Sequence, residues 1–286
     1  MNAETQPGSA GTGAAARAID FYFDFSSPYS YIASEWIEAL AARQSAVAAA
    51  SLGKRVALMD ASFQFGDVGV LLNLNPKNKS IADLVPELEA GGDADFIETF
   101  VITHSTGARV LLAPPSPEMA ELVTPAAIRR VLDALRAKND LVIVDCASAF
   151  SDSTLAILDV ADVILTVLTL EITSIKNMRL FLEVAEQLGY PPDKMELVLN
   201  RADSALGIRV ADVEHSIGRK VDHTVVSDGR SVVYALNRGV PFFVSNREAQ
   251  VSQDVLRLAR AMLGPSAHAP AEGRKPAPKK SLFAWR

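Results

Sequence analysis

Cysteine is nearly absent from this sequence of 286 residues, which contains only Cys146. An intramolecular disulfide is therefore excluded, and so little cysteine is typical of a reducing cytoplasm. Long hydrophobic runs are also lacking, because apolar stretches such as residues 141–144 suit strands and are far too short to span a bilayer. The sequence does not open with a charged segment followed by an apolar one, so no secretory leader is expected. These absences predict a soluble protein of the cytoplasm.

An excess of positive charge is missing as well. The chain has 28 Lys and Arg residues against 34 Asp and Glu, which gives a formal net charge of -6. No overall positive field attracts nucleic acid, and no nucleic-acid partner is expected. Residues 1–17 are rich in Gly, Ala, Ser and Thr, and residues 264–286 carry four prolines among Ala, Lys and Arg. We therefore predict a disordered leader and a disordered basic tail.

Between these ends, apolar runs alternate with helical patterns. Hydrophobic residues make up 49% of the chain, which is enough for one large core. The runs are rich in Val, Ile and Leu without polar alternation, as expected of strands covered by helices on both faces. The sequence predicts one α/β domain over residues 18–263, with a mostly parallel, doubly wound sheet of about seven strands. The candidate strands are residues 19–25, 55–59, 109–113, 141–144, 163–169, 196–199 and 241–244.

Capping residues locate several helices. Thr124 followed by Pro125 predicts a helix that begins there and runs to about residue 138. A second helix is predicted from about Ser174 to residue 188, with Gly189 as its C-terminal cap. A last amphipathic helix is predicted over residues 252–263. The stripe of the second helix expected to face the core is Ile172, Ile175, Met178, Leu182, Ala185 and Leu188.

Polar residues follow several of these strands, where open parallel sheets bind their ligands. Asp60 and Asp67 lie in the segment LGKRVALMDASFQFGDVGVLL, and Asp145 ends the run from residue 141. Five segments of this kind resemble the MinD/ParA class of P-loop ATPases, and in particular the TadZ/CpaE-type proteins that localise Flp pilus machinery. The resemblance implies a P-loop NTPase-like fold with ATP and Mg²⁺ as cofactors. The segments are residues 52–72, 141–145, 161–173, 198–201 and 225–263.

The resemblance also implies roles for five residues. Asp145 would be the carboxylate that holds magnesium through a water, and Asp60 would lie near the metal and orient the attacking water. Asn200 would hydrogen-bond the adenine edge, with Arg201 and Pro241 beside the nucleotide. In the alternative interpretation, Asp145 is a polar cap at a strand end and Asn200 is a turn residue.

The sequence departs from the family at three places. Ser62 stands where a second aspartate is common, and Cys146-Ala147-Ser148-Ala149 replaces a Pro-Pro-Gly-like turn. The third departure is larger, because the phosphate-binding loop G-x-x-x-x-G-K-[ST] is absent between the strand at residues 19–25 and the helix predicted over residues 29–50. Only Ser26-Ser27-Pro28 stands there, and no lysine precedes Lys54. Since backbone N–H groups and a lysine must wrap the phosphates, we expect weakened ATP binding and lost hydrolysis, that is, a pseudo-ATPase.

Residues 19–43 resemble a different family, the 2-hydroxychromene-2-carboxylate isomerases and kappa-class glutathione transferases. In that family the serine before the proline, here Ser27, activates the glutathione thiol. The chain is then either a join of two genes or a pseudo-ATPase whose first unit has diverged. Three functions stay open: an organiser of pilus or secretion machinery, a glutathione-dependent isomerase or transferase, and an inactive fusion product.

The MinD/ParA resemblance implies protein partners from a pilus or secretion system, and it allows a homodimer. It also allows a peripheral contact with the inner face of the membrane through the tail, whose tip carries Leu282, Phe283 and Trp285 beside basic residues. The tail is too short to anchor the protein alone. The alternative is a solubilising tail with an aromatic end.

Overall fold

The computed structural model describes residues 19–24, 42–75, 79–92, 96–204 and 207–264, with the backbone alone for residues 19–24. The predicted leader, and the predicted tail beyond Gly264, lie outside these residues. Within the described ranges, no helix is both long enough and apolar enough to cross a membrane.

One eight-stranded sheet forms the centre of the described structure. The strands are β1 (Ile19–Asp24), β2 (Val56–Ala61), β3 (Ile102–Thr103), β4 (Arg109–Leu111), β5 (Leu141–Cys146), β6 (Val163–Leu168), β7 (Met195–Asn200) and β8 (His223–Val225). Their order is β3-β4-β2-β5-β1-β6-β7-β8. All neighbours run parallel except β3, which pairs antiparallel with β4. Strand β1 therefore lies near the middle, where the order of the strands reverses.

Helices cover both faces of this sheet. One face carries α1 (residues 42–51), α2 (Val68–Leu71), α9 (Gly229–Arg238), α10 (Phe242–Ser245) and α11 (Gln250–Leu263). The opposite face carries α3 (Ile81–Glu89), α4 (Ile97–Phe100), α5 (Pro125–Lys138), α6 (Asp152–Val160), α7 (Ile172–Gln187) and α8 (Val210–Ile217). Short 3₁₀ helices span Pro117–Leu122 and Pro192–Lys194. The predicted α/β class, with a mostly parallel sheet and helices on both faces, is confirmed.

Each central strand contributes to both cores because successive side chains point to opposite faces. Met59 and Val144 pack in the core under α3 to α8. Leu58 and Ile143 pack in the core under α1 and α9 to α11. All four side chains are fully buried, which explains why the strands read as continuous apolar runs.

Six of the seven predicted strands are present, and the prediction of a strand at residues 241–244 is wrong. Pro241 is buried and its carbonyl accepts hydrogen bonds from the N–H groups of Val244 at 2.9 Å and Ser245 at 3.1 Å, which makes a helical turn. Periodicity cannot distinguish strand from helix in so short an apolar run. Strands β3 and β8 were not predicted, since two and three residues are too few to show a pattern.

The capping predictions are confirmed. Thr124 accepts a hydrogen bond from the N–H of Ala127 at 3.2 Å and begins α5. Gly189 follows α7 with a positive φ of 81°, the conformation that a helix C-terminus favours in glycine. The stripe predicted for α7 is wrong at its ends, because Ile172 and Leu188 are 77% and 48% exposed. Phe181 is buried instead. It lies three residues after Met178 and four before Ala185, and an α-helix of 3.6 residues per turn places all three on the same side.

Candidate functional site

Two carboxylates meet at the carboxyl edge of the sheet. Asp60 near the end of β2 and Asp145 near the end of β5 are direct partners in the parallel register. Asp60 lies two residues after Leu58, and Asp145 lies two residues after Ile143. Because side chains alternate along a strand, both aspartates lie on the face covered by α1. Asp60 is 1% exposed and Asp145 is 7% exposed. The structure thus brings together the two residues predicted to act on magnesium and water.

The loop after β2 folds onto Asp60. One carboxylate oxygen, Oδ1, accepts the N–H of Ser62 at 3.1 Å, and the other, Oδ2, accepts the N–H of Val68 at 3.1 Å. Val68 begins α2, so the carboxylate stabilises the start of this helix. Asp67, the other acidic residue of the predicted switch region, is exposed and makes no side-chain cap. Asp60 therefore has a structural role in this loop besides any role toward a ligand.

A third charged side chain completes the cluster. Arg43 of α1 is 1% exposed, and its Nη2 lies 3.6 Å from Oδ2 of Asp145. Its Nε and Nη1 atoms are buried and have no hydrogen-bond partner in the described part of the chain. The guanidinium is held in the protein interior by opposite charge and not by a full set of hydrogen bonds.

Burial and charge shift the acid–base properties of this cluster. Burial, followed by the neighbouring charge of Asp145, raises the pKa of Asp60 to about 7, against the opposing effect of Arg43. Burial also raises the pKa of Asp145. Burial lowers the pKa of Arg43, although Asp145 and Asp60 act in the opposite direction. An arginine stays protonated at physiological pH. The cluster therefore holds one permanent positive charge, and Asp60 titrates near neutral pH.

The predicted base-binding residues lie elsewhere on the same edge. Asn200 ends β7 and is 6% exposed, and its Oδ1 accepts the N–H of Arg201 at 2.9 Å. Arg201 has a positive φ of 53°. Its Nη1 lies 3.9 Å from Oε1 of Glu171, the residue that precedes α7. Asn200 therefore shapes the turn that follows its strand, as in the alternative interpretation, and its role toward adenine stays a prediction.

Pro241 lies on the α1 face, at the start of α10. The first turn of this helix is joined to α1, because the N–H of Phe243 donates to Oε1 of Gln44 at 3.1 Å between two buried residues. The nucleotide role of Pro241 stays a prediction. Ser27 and the tail residues Leu282, Phe283 and Trp285 lie outside the described residues.

Helix α1 contributes polar side chains to the site that were not predicted from the sequence. Arg43, Gln44 and Ser45 are polar residues within a run of alanines, and all three are at most 1% exposed. A helix whose alanines lie on every side is expected to be buried all round, and polar residues within it must then find their partners inside the protein, although the pattern does not say which partners. That pattern, together with the carboxylates predicted at the strand ends, was available in the sequence.

The described residues do not fit a magnesium ion at Asp145 in this arrangement. A metal-bound water would have to approach the carboxylate that already faces the Arg43 guanidinium, in an enclosed site. No group of three or more His, Cys, Asp or Glu side chains that could hold a metal ion occurs among the residues that the structure describes. The metal role of Asp145 and the catalytic role of Asp60 stay predictions from the resemblance.

Comparison with solved structures defines the class of fold. The ParA family ATPase from Chlorobium tepidum superimposes with a TM-score of 0.77 at 20% identity, covering 86% of this chain and 98% of that chain. The MinD protein of Pyrococcus horikoshii, solved as a complex with Mg-ADP, superimposes with a TM-score of 0.70 at 15% identity, covering 85% and 94%. The chain has an α/β P-loop NTPase-like fold that matches ParA and MinD structures.

Sequence comparison agrees with this class. No protein-family model matches the chain. An uncharacterised ATP-binding protein of Methanocaldococcus jannaschii is 29% identical over 220 residues, 77% of this chain and 80% of that protein. The septum site-determining protein MinD of Thermotoga maritima is 21% identical over 223 residues, 76% of this chain and 80% of that protein. The chain is therefore similar in sequence to ATP-binding and MinD proteins and similar in fold to ParA and MinD structures.

Proposed function

We propose that this chain is a TadZ/CpaE-type member of the MinD/ParA class that organises or localises pilus or secretion machinery through protein contacts. We propose further that its ATP binding is weakened and its hydrolysis lost. The fold and the relatives support the class. The resemblance of residues 52–72 and 225–263 to TadZ/CpaE-type proteins supports the branch.

The proposed loss of ATP hydrolysis is supported by one feature of the sequence. The sequence between β1 and α1 contains Ser26-Ser27-Pro28 and lacks the glycines and the lysine of a phosphate-binding loop. In this class of enzyme, catalysis depends on positioning the phosphates and neutralising their charge, because the protein contributes little covalent chemistry. A chain without the loop keeps the fold and the surfaces that bind partners, but loses the tightest contacts to the nucleotide.

Other features support a remaining affinity for nucleotide. The MinD protein of Pyrococcus horikoshii was solved as a complex with Mg-ADP, and the sequence resemblance implies that Asn200, Arg201 and Pro241 lie beside the base. We therefore expect any binding to be weak and to depend on the base-binding residues. The relatives also support a protein partner, because the MinD of Aquifex aeolicus was solved in complex with MinC.

Titration with a fluorescent ATP analogue tests the nucleotide part of the proposal. The wild-type protein, Asn200→Ala and Asp145→Ala would be compared in the presence of magnesium, and phosphate release would be followed in parallel. We expect binding no tighter than about millimolar and no phosphate release above the background without protein. Micromolar binding that both substitutions abolish would show a working ATP site and would refute the pseudo-ATPase part.

Localisation in cells tests the organising part. A fluorescent fusion of the full chain would be expressed in cells that assemble Flp pili, together with Asp145→Ala. We expect both proteins to form foci at the pilus machinery, because a protein that does not cycle through ATP needs no carboxylate for its placement. A diffuse wild-type protein in piliated cells would contradict the proposed partner class.

A further inference from the structure

The Arg43 guanidinium lies beside one buried carboxylate, that of Asp145, and is also attracted by the charge of Asp60. It lies 3.6 Å from Oδ2 of Asp145, and Asp145 pairs in register with Asp60 on the neighbouring strand. Asp60 and Asp67 also contribute to the negative potential at Arg43. One cation thus serves a group of acidic side chains at the edge where ligands bind to this class of fold.

The unpartnered nitrogen atoms show why the guanidinium occupies this position. An arginine buried for hydrogen bonding would have its donors satisfied, since an unmade hydrogen bond in the interior is costly. Arg43 leaves both Nε and Nη1 without a partner in the described ranges. Its attraction to the carboxylates must therefore outweigh that cost, which assigns the side chain an electrostatic role.

The same charge affects any second cation. Two positive charges a few ångströms apart repel strongly when the site is shielded from water. Asp145 is 10% exposed at its side chain and Arg43 is 1% exposed, so solvent screens this repulsion little. Magnesium also keeps several of its waters and needs room for them. A divalent ion at Asp145 would have to displace the guanidinium.

We propose that Arg43 is a built-in cation that neutralises the Asp60–Asp145 pair and excludes divalent metal ions from it. The helix α1 then supplies from within the chain the positive charge that Mg²⁺ brings to the carboxylates of an active ATPase of this class. This proposal concerns the carboxylate site of the proposed function. It rests on that function in one respect, which is that the folded protein needs no magnesium at this site.

Titration of the nucleotide-free protein with Mn²⁺ tests the proposal, with electron paramagnetic resonance reporting the free ion. The variants are Arg43→Met, which removes the charge at similar length, Arg43→Lys, which keeps it, and Arg43→Met combined with Asp145→Asn. We expect the wild-type protein and Arg43→Lys to show only weak binding without saturation. Arg43→Met should acquire a saturable Mn²⁺ site at least about ten-fold tighter than this residual binding, and the double variant should lose that site.

A folded Arg43→Met protein that binds Mn²⁺ no more tightly than the wild-type protein would overturn the proposal. Because the buried substitution could also prevent folding, a second comparison uses the wild-type protein and Asp145→Asn. Identical weak Mn²⁺ curves for these two proteins support the proposal, and saturable wild-type binding that Asp145→Asn abolishes overturns it. Neither titration contains nucleotide. The failure of the proposed ATP binding or pilus localisation can therefore be distinguished from the failure of this proposal.

Discussion

Gly66 packs against Asp60 so closely that it has no room for a side chain. A Cβ at position 66 would come within 2.6 Å of Oδ2 of Asp60 and within 2.4 Å of the Cβ of Ala113. Both distances are far shorter than ordinary van der Waals contact. The glycine thus lets the loop between β2 and α2 close over the carboxylate.

Substitution of Gly66 should therefore destabilise the protein. We expect Gly66→Ala to lower the free energy of unfolding by about 1–3 kcal/mol, the usual cost of forcing an extra group into a packed site. Urea unfolding followed by circular dichroism measures it. The matched control is Gly229→Ala, because a Cβ there meets no atom within 4 Å. Equal stability of Gly66→Ala and the control would contradict the close packing of the loop.

The raised pKa of Asp60 predicts a pH dependence of stability. The folded protein holds this proton up to about pH 7, whereas the carboxyl group has a pKa near 3.8 when unfolded. Because the folded pKa is the higher one, the stability from this proton is complete below the unfolded pKa and is lost as the pH rises through the folded pKa. The free energy of unfolding should fall by up to about 3 kcal/mol between roughly pH 5 and pH 8.

The variant Asp60→Asn isolates this effect. It cannot titrate, so its stability should change less over the same pH range than that of the wild-type protein. The exposed residue Asp193 provides the control, and Asp193→Asn should keep the wild-type pH dependence. Chemical unfolding at a series of pH values gives all three curves. Parallel curves for Asp60→Asn and the wild-type protein would show that another group titrates.

The hydrogen bond between α1 and α10 should contribute measurably to stability. Gln44→Met keeps the length of the side chain but removes the acceptor of the buried Phe243 N–H. An unsatisfied donor in the interior costs about 1–3 kcal/mol, and we expect a loss of this size. Gln187→Met, at an exposed position in the last turn of α7, should change stability by less than about 0.5 kcal/mol. Similar values for the two variants would show that the contact contributes nothing.

The N-terminal cap of α5 predicts a smaller effect. Thr124→Ala removes the oxygen that accepts the N–H of Ala127, and the expected loss is about 1 kcal/mol. Thr124→Ser keeps the hydroxyl group and should stay close to the wild-type protein. Thermal unfolding separates the two, and a stable Thr124→Ala variant would indicate that water replaces the cap.

The central strands and the carboxylate pair could be predicted from the sequence because both depend on local patterns. Strands buried on both faces must be apolar throughout, so β2, β5, β6 and β7 are visible as runs of Val, Ile and Leu. Since parallel strands end at the same edge, Asp60 and Asp145 were expected at that edge. Their direct pairing also required β2 and β5 to be neighbours, which periodicity does not specify.

The contribution of α1 could not be located in this way. Arg43 acquires its role from contact with a strand about a hundred residues further along the chain, and no local pattern records such a partner. The helical turn after Pro241 is a similar case, because Phe242 and Phe243 are both buried against the α1 face. Adjacent residues of a strand would point to opposite faces, but a short helix resting on the core can bury both.

The position of β1 has a consequence for how the protein is made. Among the strands that the structure describes, β1 leaves the ribosome first, yet its two neighbours in the sheet begin at Leu141 and Val163. Until those segments have emerged, residues 19–24 have neither of their partner strands, and an apolar segment that stays unpaired during synthesis promotes aggregation. Productive synthesis should therefore depend on chaperones that shield the first strand while the middle of the chain is translated.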